Sequence, residues 1–321
     1  MTSFIIRRLL QLPLVLLAVI VVTFALVWLI PGNPMLQEGR QPPPEVVEAM
    51  NRQYQLDSPV RFLGGYLSRV TGVGWVLGWN EKPFDLGPSM RHPDWTVNEI
   101  ISAGFPISAT IGLGAIAIAL VIGTIAGLIG GLRPGSWLDA ATQTIALVGI
   151  SVPSFVTGSL LIVLLAAKFR IFPIAGWGTP AHALLPMLTL SLPFAAYIAR
   201  LLRFGLVEQM STNHLRTALA KGLSRRQAAW RHALKNAFLP VLSFLGPATA
   251  VAMTGSFVVE KVFAIPGLGR HFVDAVLGKD ITLVMGVVLV YAVLLILLNL
   301  VVDVLYAWID PRIDLAASGT R

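Results

Sequence analysis

Apolar residues gather along this chain in six long runs: Leu9–Ile30, then roughly 106–131, 141–167, 183–199, 239–259 and 281–302. None of the six contains Asp, Glu, Lys or Arg. A helix needs about 20 apolar residues to cross about 30 Å of hydrocarbon. The runs are long and do not alternate, so they predict spanning helices rather than barrel strands. The first follows Arg7-Arg8 like a signal peptide. At about 22 residues it exceeds an apolar signal core, and it ends in Trp28-Leu29-Ile30-Pro31 with no small-x-small cleavage site. It is expected to be a retained first helix.

Composition agrees with that pattern. Of 321 residues, 55% are hydrophobic and 12% charged, with mean hydropathy +0.76; a soluble domain is about a quarter charged. The absence of cysteine excludes a disulfide framework, a thiol nucleophile and Cys-ligated metal. With the N-terminus placed inside, thirteen of the 24 Lys/Arg and five of the 16 Asp/Glu fall on the inner side. The whole formal charge of +8 then belongs to that face, as expected when basic residues orient the spans.

Between the first two runs lies a large outside segment. Pro42-Pro43-Pro44 before Glu45 predicts a proline-led helix, and Leu56-Asp57-Ser58-Pro59 a turn and a new helix start. Trp75, Trp79, Phe84 and Trp95 suit either a cap packed at the headgroup level or a docking surface for a soluble partner. In the second run, Gly123-x-x-x-Gly127-x-x-x-Gly131 predicts close helix packing. Pro153, Pro186 and Pro193 fall inside runs and favour kinks.

The run interiors lack the ionisable residues through which secondary transporters couple to protons or ions. There is no H-E-x-x-H, no G-x-S-x-G and no G-x-x-x-x-G-K-[ST]. No catalytic or metal-ligating set is expected. If this protein moves a solute uphill, the energy comes from another chain.

One segment interrupts the apolar pattern with strong charge. Residues 214–240 carry Arg216, Lys221, Arg225, Arg226, Arg231 and Lys235 and no acid. Lys221-Gly222-Leu223-Ser224 punctuates it: Gly222 can close one helix in the left-handed conformation, Ser224 can cap the next, and Gln227 stands at the capping-box position. Trp230, Leu234 and Phe238 are four residues apart and predict one apolar stripe. Such a segment is a loop that only fixes topology, an amphipathic helix on anionic lipid, or a rigid knob inserted into a cytoplasmic protein. The matched stop and start favour the knob.

Arg216-Thr-Ala-Leu-Ala-Lys-Gly-Leu-Ser224 followed by His232-Ala-Leu-Lys-Asn-Ala-Phe-Leu-Pro240 resembles the cytoplasmic "EAA" loop of ABC-importer permeases, in the dipeptide/oligopeptide branch. Pro31-Gly32-Asn33-Pro34, Asp85-Leu-Gly-Pro-Ser89, His182…Leu185-Pro186, Ile265-Pro-Gly-Leu-Gly-Arg270 and Asn299-Leu-Val-Val-Asp303…Asp310-Pro-Arg312 resemble family motifs in family order. The long segment after the first run resembles the B-type subunit, although residues 71–84, rich in Gly and Trp, are longer than the usual family loop.

The resemblance implies an all-α membrane protein with six transmembrane helices, a type I ABC importer permease fold and both termini cytoplasmic. It divides the chain into 1–31 (first helix), 32–105 (extracytoplasmic segment), 106–310 (five-helix core with coupling loop 205–238) and 311–321 (cytoplasmic tail). The implied ATPase contact comprises Arg216, Thr217, Ala218, Ala220, Lys221, Gly222, Leu223, Ser224, Arg225 and His232. Ser151, Pro153, Ser154, Thr189 and Ser191 are candidate pathway-lining residues, or equally helix–helix contacts. Implied partners are a second homologous permease subunit, two ABC ATPase subunits, an extracytoplasmic substrate-binding protein and the lipid bilayer, with no nucleic acid. No cofactor is expected on this chain; ATP and Mg²⁺ belong to the partner ATPases. The expected localisation is a bacterial or archaeal plasma membrane. Peptides are the expected cargo, with nickel, glutathione, haem or sugars as the family's other solutes. A channel or scaffold with a lipid-binding basic loop is the alternative of a different class.

Overall fold

The computed structural model describes residues 2–30, 43–92, 94–254 and 257–309. Expectations placed on Pro31-Gly32-Asn33-Pro34, on Asp310-Pro311-Arg312 and on the tail 311–321 lie outside the described residues. Those described are helical throughout apart from loops and one isolated bridge, Pro88 to Thr96. They form two compact units.

The second unit joins Arg7–Ile107 to Gly267–Leu294. It contains most of α1 (Thr2–Leu29), then α2 (Pro44–Gln53), α3 (Pro59–Val70) and the short α4 (Val73–Val76). The expected helix starts are in place: α2 opens at Pro44, and α3 has Ser58 as N-cap and Pro59 in its first turn. The Ser58 hydroxyl accepts from the Arg61 N–H at 3.5 Å. Phe62 of α3 stacks on Phe24 of α1 with centroids 5.6 Å apart, in a core that includes Ile20, Val27, Tyr66 and Val97. The segment between the first two runs is thus part of a packed core. Its aromatics Trp75, Trp79, Phe84 and Trp95 remain exposed.

The first unit is built from Ser108–Pro266 with the chain from Leu295 onward. Its elements are the greater part of α5 (Val97–Leu132), then α6 (Trp137–Ser151), α7 (Ser154–Leu161), α8 (Pro180–Met210), α9 (Asn213–Ala220), α10 (Arg225–Ala228), α11 (Leu234–Ala237), α12 (Leu239–Thr254) and α13 (Phe257–Val262). Then α14 (Leu268–Leu277) and the start of α15 (Ile281–Ile309) return to the second unit.

Among the described residues, five helices are long and apolar enough to span: Leu10–Leu29, Val97–Leu132, Pro180–Met210, Leu239–Val262 and Ile281–Leu305. The expected span at 141–167 is not one straight helix. It is α6 and a second helix, α7 continued by the π-helical Ile162–Lys168, bent by 102° at Val152–Pro153, and a sixth span only if that pair counts as one. Proline lacks the N–H for the ladder and pushes the preceding residue to extended backbone; Val152 has φ −82° and ψ 123°. The same residue type does not break α8, which runs continuously through Pro186 and Pro193.

The glycine row of α5 packs against α8. A Cβ at Gly123 would fall 2.6 Å from the Ala195 carbonyl oxygen, and one at Gly131 would fall 2.8 Å from the Leu206 Cβ. Only a residue without a side chain permits that approach, as the spacing predicts.

Candidate functional site: a cationic helical knob

The segment 213–238 folds as helix, sharp turn, helix. α9 ends in a Schellman turn. The Leu223 N–H reaches back to the Ala218 carbonyl (3.3 Å) and the Gly222 N–H to the Leu219 carbonyl (3.0 Å). Gly222 stands at φ +89°, where a side chain is strained. Two residues later the next helix begins. Ser224 Oγ accepts from the Gln227 N–H (3.3 Å), and Gln227 Oε1 accepts from the Ser224 N–H (3.0 Å), a complete capping box. The stop and start predicted from four letters are therefore both formed, and they fix the angle between the two arms.

The knob's inner face is small rather than aromatic. Leu215, Ala218, Ala228, Ala229, Ala233 and Ala237 are buried against Ile198, Leu202, Leu206 and Met210 of α8. The contact is tightest at Gly205, where a Cβ would fall 2.5 Å from the Ala237 carbonyl oxygen. The expected stripe of Trp230, Leu234 and Phe238 is corrected here. Leu234 and Phe238 lie against the core, but Trp230 is 55% exposed. Residues Ala229–Ala233 form a π-helical turn, with the Leu234 N–H bonded to the Ala229 carbonyl. One residue is added to the turn, so a four-residue step from Trp230 no longer returns to the same face.

Arg216, Thr217, Ala220, Lys221, Gly222, Ser224, Arg225 and His232 are exposed, Leu223 is half-buried and Ala218 is buried under the turn. The six basic side chains are exposed, and none is paired with a carboxylate among the described residues. The knob presents cationic groups and an uncovered indole on a scaffold with a fixed bend.

The candidate pathway residues divide into two groups. Ser151, Pro153 and Ser154 lie together at the 102° corner, the first two exposed; the Ser151 hydroxyl donates to the Leu147 carbonyl (2.8 Å). Thr189 and Ser191 are buried in α8, with hydroxyls bonded to the Leu185 and Leu188 carbonyls of their own helix. The Thr189 methyl lies against Gly158 of α7.

Three polar groupings were not visible in the sequence. Asp139, at the start of α6, is gripped by Arg203 of α8: Nε to Oδ1 at 2.6 Å and Nη2 to Oδ2 at 2.7 Å. The Gly135 N–H adds a third bond at 2.9 Å. Glu260, just past the end of the fifth run, is buried; Ser108 Oγ donates to its Oε1 at 2.7 Å. Asp280, just before α15, is fully buried in the second unit. Its Oδ2 accepts from Ser89 Oγ (2.5 Å) and from the Met90 and Arg91 N–H groups (3.0 and 3.2 Å). Its Oδ1 accepts from Thr282 Oγ1 (2.9 Å) and the Leu283 N–H (3.1 Å). Tyr54 donates to the Ser89 carbonyl (3.0 Å), and burial with the nearby Asp280 charge pushes its pKa up. The Ser136-x-x-Asp139 spacing was a readable helix-start signal; the distant partners of these acids, 64 to 191 residues away, were not.

Residues 119–315 match the family model described as "Binding-protein-dependent transport system inner membrane component", and residues 1–112 match its N-terminal counterpart. The dipeptide transport system permease protein DppB of Bacillus subtilis is 38% identical over 319 residues, covering 99% of this chain and 100% of its own length. The oligopeptide transport system permease protein OppB of Salmonella typhimurium is 39% identical over 315 residues, covering 98% and 99%. Among solved structures, an inward-facing MetNI methionine ABC transporter matches with a TM-score of 0.53 at 18% identity, over 66% of this chain and 96% of that one. An amino acid ABC transporter matches with a TM-score of 0.51 at 16% identity, over 65% and 93%. At those identities the two structures speak to the fold alone.

Proposed function

The chain belongs to the binding-protein-dependent transport inner-membrane components, permease subunits of the multi-pass plasma-membrane type that do not themselves hydrolyse ATP, and from that premise we propose that it imports peptides by coupling its spans to cytoplasmic ATPases through residues 213–238. The observation that carries the reading is the knob itself. It is bent by a Schellman turn and a capping box, seated on α8 through an alanine face, and uncovered on its cationic side. A loop that only fixed topology would need charge but no defined shape. The peptide cargo rests on the dipeptide and oligopeptide permeases to which the chain is similar along almost its whole length.

In this reading ATP binding draws two ATPase subunits together, and each moves the coupling knob it holds. This knob and that of a second, homologous permease subunit follow, and the shared pathway turns from inward to outward. A substrate-binding protein delivers the peptide to the outer face. Both termini and the knob are cytoplasmic, and the segment holding α2 and α3 is extracytoplasmic.

The test is uptake into sealed vesicles holding the assembled transporter. Peptide accumulation should require ATP and persist when an uncoupler collapses the proton gradient at constant ATP. Accumulation that stops with the gradient would replace this reading with a secondary transporter. Cysteines introduced at the exposed positions Ala49 and Ala220 should label from opposite sides of the membrane.

A further inference from the structure

We propose that Asp139 and Arg203 are a positioning pair that makes the bent span α6–α7 follow the knob, so that movement of the knob reaches the corner at Val152–Pro153. This rests on the reading of 213–238 as the ATPase contact.

Arg203 sits where three surfaces of α8 meet. Leu202 and Leu206, which flank it along α8, are fully buried in the cluster that includes the knob's Leu215, Ala233 and Ala237, and their side chains meet Gly127 and Gly131 of α5. Gly205 carries the closest approach of the knob's Ala237, and Gly131 of α5 lies over Leu206 and the Arg203 Cα. From that position the guanidinium reaches α6. Its two parallel bonds to Asp139 form the fork-to-fork arrangement, which fixes direction as well as distance. The pair is withdrawn from water, with side-chain exposures of 28% for Arg203 and 5% for Asp139. Gly130 makes the room: a Cβ there would fall 3.0 Å from Asp139 Oδ1.

Asp139 is itself held rigidly. Its N–H donates to the N-cap Ser136 Oγ at 3.2 Å, and the Gly135 N–H, from a residue at φ +78°, donates to its Oδ2. The ion pair therefore grips the whole first turn of α6. At the far end of α6 is the 102° corner, and beyond it α7 returns to α8, where Gly158 meets the Thr189 methyl. The bent span is attached to α8 by one ionic fork at its start, by packing along α6, where Gly149 lies against Leu192 and Ala196, and by close apolar packing after its corner. To that packing the bidentate fork adds a fixed direction between the guanidinium and the carboxylate. The fork makes α6 turn with α8 rather than slip along it.

The experiment compares wild type with Asp139→Asn, Arg203→Gln and Arg203→Lys in the assembled transporter, measuring ATP hydrolysis and peptide uptake together. Asn keeps the original volume and Gln keeps a polar chain, while each removes a charge; Lys keeps the charge but loses the fork. For Asp139→Asn and Arg203→Gln, uptake per ATP should fall by about fivefold or more, while hydrolysis stays within about twofold. Asp139→Asn combined with Arg203→Gln should be no worse than either alone, because both remove one interaction. Arg203→Lys should recover part of the ratio, and it carries the same expectation at smaller size if the neutral variants do not reach the membrane. An unchanged ratio in all variants overturns the proposal, as does a parallel loss of hydrolysis and uptake, which marks a merely structural pair. A wild-type transporter showing no ATP-dependent uptake would instead overturn the function on which the proposal rests.

Discussion

The knob at 213–238 and the polar hub around Asp280 solve opposite problems. The knob exposes its charge: six basic side chains lie on its surface and its shape comes from backbone devices, a Gly turn and a Ser/Gln box. The hub hides its charge: one buried carboxylate receives five donors. Exposed charges are solvated by water, whereas a buried polar group needs hydrogen-bond partners within the fold. The knob is local, formed by residues close together in the chain. The hub joins the loop at 88–91 to the start of α15, with Met90 and Asp280 190 residues apart.

That contrast sets an order of expected effects. The largest belongs to the hub. Asp280→Ala leaves buried donors with no acceptor, each costing about 1–3 kcal/mol, and so destabilises the second unit as a whole. Membrane level and detergent melting temperature should both fall sharply, with Asp280→Asn intermediate. A melting temperature unchanged by Asp280→Ala would break the comparison, because the hub would then not hold the unit.

The next effect belongs to the knob's bend. The left-handed conformation at Gly222 costs an ordinary residue on the order of 1 kcal/mol, and a β-branched one more. Gly222→Val should leave membrane level and melting temperature close to wild type, because a Cβ there meets nothing within 4 Å. ATPase co-purification and ATP-driven uptake should fall. If both remain normal, the bend is not what the partner reads.

The smallest effect is expected from charge alone. Arg225→Ala with Arg226→Ala removes two exposed cations without altering the turn or the box, since exposed charges contribute little individually. Uptake should drop less than in Gly222→Val at matched membrane levels. A charge variant that fails while the valine variant transports normally would turn the knob into a lipid-surface anchor.

The spans, the helix starts at Pro44 and Ser58, the glycine row and the knob's turn were legible because each depends on residues close in sequence. Hydrophobic run length reports a span, and a cap needs only its own first turn. Pro153 announced a kink, but not its size: a 102° corner follows where neighbouring helices accept one, and α8 absorbs two prolines without a break. Trp230 misled because the periodicity argument assumes a uniform α-helix, and a π turn intervenes.

The sequence by itself determined the class of protein, the number and place of the apolar runs, the bend of the cationic segment and the family it resembles. Only the tertiary structure decided which carboxylates are buried and what satisfies them: Asp139 by Arg203, Glu260 by Ser108, Asp280 by Ser89 and Thr282. It also decided that α8 is the element on which the glycine row, the bent span and the knob all rest. The physical reason is that burying a charge is costly unless a partner is supplied, and that partner is chosen by proximity in space, which composition, period and spacing do not encode.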